Sequence, residues 1–155
     1  MSNAVGLALG STHSCALLDD GSTKCWGQNN WGQLGNGTFT DSLVPVTVTG
    51  SANAVSISGG SSETVTCVVL ADGKGQCWGG GNDYLLAAGN TTTSTVPIDI
   101  LGLNGIETLY AASSGKSCAT LSDSRFVCWG SGIRGEMHPF KPNQTISGSL
   151  VIGTN

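Results

Sequence analysis

Three stretches of this chain are copies of one pattern, and that repetition limits its fold more than any other feature. The stretches are HSCALLDDGSTKCWG (13–27), VTCVVLADGKGQCWG (65–79) and KSCATLSDSRFVCWG (116–130). Each reads as a small polar residue, Cys, three mostly apolar residues, a turn, then Cys-Trp-Gly. The first cysteines stand at 15, 67 and 118, which are 52 and then 51 residues apart. A period of this length belongs to repeat architectures, in which each unit buries its apolar face only against a neighbour. The match extends outward. Pro45 and Pro97 stand in VPV and VPI, each twenty residues after the second cysteine, and alternating segments (VGLALG, AVSISGG, IETLYAA) precede each first cysteine.

Within a repeat the pattern predicts four strands. The first is the alternating segment, such as 54–58. The second carries the first cysteine and the third carries Cys-Trp; a long loop then leads to the Val-Pro-Val strand. The turn between the second and third strands holds Asp20-Gly21, Asp72-Gly73 and Asp123-Ser124. Asp-Gly suits the positive φ of tight hairpins. Proline fits at a strand start or sheet edge, where no ladder donor is lost. No segment shows the 3.6-residue period of a long amphipathic helix. Four short antiparallel strands in about fifty residues is the arithmetic of a β-propeller blade. A Greek-key sandwich also uses many short strands, but does not account for three near-identical units. The expected fold is all-β: one repeat domain over 1–155 with three four-stranded blades at approximately 1–50, 51–101 and 102–155, an incomplete ring.

Composition agrees. The chain has 24 glycines, only 10% charged residues and 39% hydrophobic ones, in short runs separated by turn residues. At 155 residues it is long enough to bury about 70% of its unfolded surface. The net charge is −4, and Lys24, Lys74, Lys116, Arg125, Arg134 and Lys141 are scattered. Nucleic-acid binding normally shows a concentrated basic footprint, so it is not expected. No apolar run is long enough for a helix to span a bilayer. The opening MSNAVGLALG lacks the charged start and long apolar core of a secretory signal.

The six cysteines occur once per repeat as Cys-x9-Cys. Zinc sites usually space two cysteines two to four residues apart, and thiol redox sites use Cys-x-x-Cys; neither spacing occurs here. Opposed residues of a hairpin have indices that add to a constant. Centring the turns on Asp20, Asp72 and Asp123 sets Cys15 opposite Cys25, Cys67 opposite Cys77 and Cys118 opposite Cys128. A non-hydrogen-bonded antiparallel pair brings Cα atoms to about 4.5 Å, at the short end of disulfide geometry. The expectation is three cross-strand disulfides, each within one blade and each contributing roughly 3 kcal/mol at most. The competing reading is six reduced cysteines packed as small apolar residues. Disulfides imply an oxidising setting: extracellular, a cell surface or a virion exterior.

The stretch HSCALLDDGSTKCWGQNNWGQLGNG (13–37) resembles the repeat of the regulator of chromosome condensation family. His13, Ala16, Leu17, Trp26, Gly27, Asn29, Gly32, Gln33, Leu34 and Gly35 stand at matching positions. The second repeat keeps Cys67, Gly73, Trp78, Gly79 and Pro97, but has DYLLA (83–87) in place of WGQLG. The third keeps Cys118, Cys128, Trp129 and Gly130, with RGEMH (134–138) there. The resemblance implies a closed propeller, usually of about seven blades. Three repeats make an arc, whose exposed edges attract other chains. The arc is then a fragment of a larger propeller, half of a six-bladed ring closed by two copies, or a unit associating head to tail.

Other residues carry weaker signals. Asn36, Asn90 and Asn143 begin Asn-x-Thr glycosylation acceptor patterns, for which a turn role is the alternative. Trp26, Trp78 and Trp129 recur with the repeat and are expected to pack. Trp31, with Asp83 and Arg134 at the equivalent positions, is not required by the repeat; Trp31, Tyr84 and Arg134 are the candidate interaction residues. No catalytic constellation is evident. His13 and Ser14 are adjacent on a strand and point to opposite faces. No phosphate-binding loop exists, since Gly-Gly-Ser-Ser at 59–62 lacks the lysine. The expected function is a non-catalytic extracellular structural or assembly module, without metal or cofactor. It would associate with copies of itself or with other chains, and neither bind nucleic acid nor insert in a membrane. The alternative is a recognition module or inhibitor that binds a protein partner through loops on one propeller face. An enzymatic or guanine-nucleotide-exchange role, an activity the resemblance also implies, comes third.

Overall fold

A computed structural model of the chain describes residues 3–60, 64–80, 86–89, 92–113 and 115–130. They form eleven strands: β1 (Ala4–Leu9), β2 (His13–Leu18), β3 (Thr23–Gly27), β4 (Ser42–Thr47), β5 (Ala54–Gly59), β6 (Val65–Leu70), β7 (Gly75–Gly79), β8 (Ser94–Asp99), β9 (Ile106–Ser113), β10 (Lys116–Leu121) and β11 (Phe126–Gly130). Their sheets run β1-β2-β3-β4, β5-β6-β7-β8 and β9-β10-β11, with every pairing antiparallel. Each sheet is one blade of an all-β propeller arc. The expected fourth strand of the third blade falls in 131–155, outside the described residues.

The hairpins follow from their turn residues. At the first, the Gly21 N–H donates to the Leu18 carbonyl and the Leu18 N–H to the Ser22 carbonyl, closing a three-residue loop. Such loops end on a left-handed residue. Gly21 and Gly73 supply it at φ +78° each; in the third blade Ser124 takes φ +67°. The aspartate before it clamps the turn: Asp20, Asp72 and Asp123 accept the N–H groups of Ser22, Lys74 and Arg125. The Ser22 hydroxyl and N–H hold the Asp20 carboxyl below its ordinary pKa, the Lys74 N–H and ammonium do so for Asp72, and the Arg125 guanidinium and N–H do so for Asp123.

This register sets Cys15 opposite Cys25, Cys67 opposite Cys77 and Cys118 opposite Cys128. The three pairs are disulfide-bonded, with Cα atoms 4.0, 4.1 and 3.9 Å apart. Pro45 and Pro97 lie on β4 and β8, the outer edges of their sheets. The glycine of each Cys-Trp-Gly takes a positive φ, +114° at Gly27, +100° at Gly79 and +122° at Gly130. A Cβ at Gly79 would collide with the Thr64 carbonyl oxygen, so this glycine answers both to conformation and to space.

Two cores lie between blades, not within them. One joins Cys15, Leu17, Cys25 and Leu34 of the first blade to Val68 and Trp78 of the second. The other joins Val65, Cys67 and Leu86 of the second to Leu109, Ala119 and Trp129 of the third. The strands β1, β5 and β9 stand side by side at the inner edge. A Cβ on Gly59 would come within 3.1 Å of the Leu9 backbone, which shows how close β5 lies to β1.

Candidate interaction surface at the blade joints

The first joint is polar as well as apolar. His13 is buried, and its Nε2 lies 2.7 Å from the Thr66 hydroxyl of the second blade. Burial pushes the imidazole down from 6.5 to about 4, because the charged ring would lose its water. The Trp78 indole N–H donates to the Gln33 carbonyl at 3.0 Å. The Gly37 N–H donates to the Thr95 carbonyl on β8 at 2.9 Å. Gly32 and Gly35 let the loop approach: a Cβ on Gly32 would lie 2.8 Å from the Ser94 carbonyl oxygen, and one on Gly35 would lie 2.7 Å from the Trp78 indole nitrogen. The loop 28–41 of one blade thus clasps the outer strand and tryptophan of the next.

Asn29 holds that loop in shape. Fully buried, it accepts the Leu34 N–H at 2.9 Å and donates to the carbonyls of Thr38 and Thr40, while its own N–H goes to Asp41. The Gln33 side chain accepts the Trp31 N–H. Sequence reasoning placed Asn29 and Gln33 in the motif but missed their work. The signal was there: polar side chains held between glycines in a loop are the ones that satisfy buried backbone groups.

The second joint has the same frame with different chemistry. By register, Val65 replaces His13 and Ser117 replaces Thr66. Ser117 is buried, and its hydroxyl makes no hydrogen bond among the described residues. A new bond appears instead, from the Ala111 N–H to the Ser58 hydroxyl at 2.9 Å.

The first blade also exposes the face that would receive such a clasp. Leu7, in register with half-buried Ile57 and with buried Leu109, is 66% exposed. Trp26 is only half-buried where Trp78 and Trp129 are buried. On the outer strand, Leu43 is 95% exposed and Val44 66%, while their counterparts Thr95 and Val96 are half-buried beneath the first blade's loop. At the opposite end the third blade presents Tyr110 and Phe126 in the open, and its disulfide is half-buried while the other two are fully buried.

Of the remaining sequence candidates, Trp31 is 47% exposed on the first loop, which also carries exposed Phe39. Asn36 is half-buried, and its Oδ1 accepts both the N–H and the hydroxyl of Thr38, which is the geometry of a turn. Tyr84, Asn90, Arg134 and Asn143 lie outside the described residues. No group of three or more His, Cys, Asp or Glu able to hold a metal occurs among the described residues. No described helix is long and apolar enough to cross a membrane. Ser14 is in register with Thr66, while its neighbour His13 is committed to the joint.

Two family models of the regulator of chromosome condensation (RCC1) repeat match the chain, over residues 20–67 and 4–33. The mouse E3 ubiquitin-protein ligase HERC2 is 29% identical over 133 residues, covering 84% of this chain and 3% of that protein. The Arabidopsis thaliana ultraviolet-B receptor UVR8 is 28% identical over 137 residues, covering 86% of this chain and 31% of the receptor. Among solved structures, human WBSCR16 superposes with a TM-score of 0.76 at 22% identity over 92% of this chain and 35% of its own. Prp20p of Saccharomyces cerevisiae, described with its binding to Gsp1p and histones, superposes with a TM-score of 0.69 at 19% identity, over 95% and 34%. The chain therefore spans about a third or less of each of these proteins. Residues 4–67 of the chain are thus similar to the regulator of chromosome condensation (RCC1) repeat.

Proposed function

We propose that this chain is an assembly module that works outside the reducing cytosol, and that its arc docks a second copy head to tail. The carrying observation is the first blade's outward face. Leu7, Trp26, Leu43 and Val44 there stand in register with residues that the first joint covers. Tyr110, Phe126 and the half-buried Cys118–Cys128 pair form the other half of a joint at the opposite end. Unlike halves on one molecule associate heterologously, giving a ring if the rotation closes and a filament if it does not. The new joint is not a plain copy of the internal one. Leu9 occupies the place of Gly59 and Ala111, so the incoming inner strand must stand farther off than β5 stands from β1. An oxidising setting is supported by the pairing of all six cysteines.

Light scattering after size exclusion, run over a range of concentrations, tests this. The wild type should associate as concentration rises, and Leu7→Glu should remain monomeric. A wild type that stays monomeric throughout would overturn the reading, as would a Leu7→Glu variant that associates equally well. The intact mass of freshly isolated protein, alkylated without reductant, checks the compartment: six modified thiols would refute an oxidising one. A second reading is favoured by exposed Trp31 and Phe39, which suit the anchor of a partner protein. On that reading Trp31→Ala abolishes partner binding and leaves self-association unchanged.

A further inference from the structure

The dipeptide Asn-Gly occurs twice, at Asn36-Gly37 and at Asn104-Gly105. Asparagine followed by glycine is chemically vulnerable, because the glycine nitrogen, unhindered by a Cβ, reaches the asparagine side-chain carbon. Both glycines have left-handed backbones, φ +82° and +68°. Their surroundings differ. The Gly37 N–H is held by the Thr95 carbonyl across the first joint, and the Asn36 Oδ1 is held by Thr38 and Asn29. The nucleophile and the electrophile are thus both engaged. Asn104 is exposed, and the Gly105 N–H makes no hydrogen bond among the described residues.

We propose that Asn104-Gly105 is a site of spontaneous deamidation and isomerisation, and that Asn36-Gly37 is spared by the closed first joint. The Gly105 nitrogen attacks Asn104 Cγ. The new N–Cγ bond closes a five-membered imide, the Cγ–Nδ2 bond breaks, and ammonia leaves with the proton from the Gly105 N–H. Water then opens the imide at either carbonyl, giving aspartate or isoaspartate, with no change of oxidation state. The site sits where the chain enters the third blade. Leu103 and Ile106 on either side are buried in the second joint. The Ile106 N–H donates to the Gly73 carbonyl at 2.8 Å, and the Gly105 carbonyl accepts the Ser122 N–H at 2.8 Å. Isoaspartate inserts a methylene into the backbone between those anchors and adds a negative charge, so the third blade loosens while the first joint keeps its geometry.

Ageing the folded protein at neutral pH, then reducing, digesting with trypsin and mapping by mass spectrometry, separates the two sites, because Lys74 lies between them. The expected result is that Asn104 converts at least about tenfold faster than Asn36 in the folded chain, a ratio set by how seldom the first joint opens. In the reduced, unfolded chain the two rates converge. Equal rates in the folded protein, or a faster Asn36, would overturn the proposal. Hydrogen exchange on the aged protein reads the consequence. The Ile106 N–H loses protection while the Ala54 N–H, bonded to the Gly21 carbonyl, keeps it. An Asn104→Ser variant, which cannot form the imide, keeps both through the same ageing. Undiminished Ile106 protection in fully converted protein would refute the structural half of the claim.

Discussion

Acidification should weaken the first joint by an amount that the burial of His13 sets. The imidazole is neutral in the folded chain, with its pKa lowered to about 4 against 6.5 in a free chain. Below pH 6.5 the unfolded chain takes up a proton that the folded chain refuses. The stability that depends on neutral His13 is therefore fully present above pH 6.5 and drains away as pH falls toward 4. At about 1.4 kcal/mol for each pH unit, the loss between pH 7 and 4.5 comes to about 2 kcal/mol, approaching about 3 kcal/mol below pH 4. His13→Gln keeps a donor for the Thr66 hydroxyl and cannot titrate. Urea unfolding of both proteins at pH 7, 5.5 and 4.5 isolates the effect as the difference between their pH profiles. The lowered carboxyls of Asp20, Asp72 and Asp123 act in the same direction, but at lower pH and equally in both proteins, so they cancel. Parallel profiles for wild type and variant would refute the reasoning.

Other outcomes follow from particular contacts. Gly79→Ala should lower stability by more than about 3 kcal/mol in a denaturant melt, whereas Gly37→Ala, with positive φ but no heavy atom within 4 Å of its Cβ, should cost about 1–2 kcal/mol. Trp78→Phe leaves the buried Gln33 carbonyl without its donor and should cost about 1–3 kcal/mol, while Trp26→Phe in the monomer should be close to neutral. Mild reductant with quantitative alkylation should open half-buried Cys118–Cys128 first, and reach the fully buried pairs only on unfolding.

The blades were legible in the sequence because each is local. A cysteine, an Asp-Gly turn and a Cys-Trp-Gly within fifteen residues determine a hairpin, and the fifty-residue period repeats it. The joints were not legible, since they pair residues of different repeats. His13 meets Thr66 53 positions away, and Trp78 meets Gln33 45 away. Periodicity says that the faces stack, but not which polar atoms meet, and a polar pair at one joint becomes Val65 and Ser117 at the next. His13 stands at a matching position of the repeat, and only the stacking of the second blade shows that it belongs to the joint. Trp31 stands outside the repeat pattern and is exposed where Trp78 is buried, and a residue free of the repeat has no periodic signal to say what it touches.

The unlike ends of the arc have a consequence for any assembly that grows from them. Head-to-tail growth gives the assembly a polarity, and each subunit has one donor face and one acceptor face. A subunit spoiled at Leu7 still docks through Tyr110 and Phe126, but then offers nothing for the next subunit to grip. A small admixture of such subunits therefore acts as a chain terminator, shortening the product far beyond its share of the mixture.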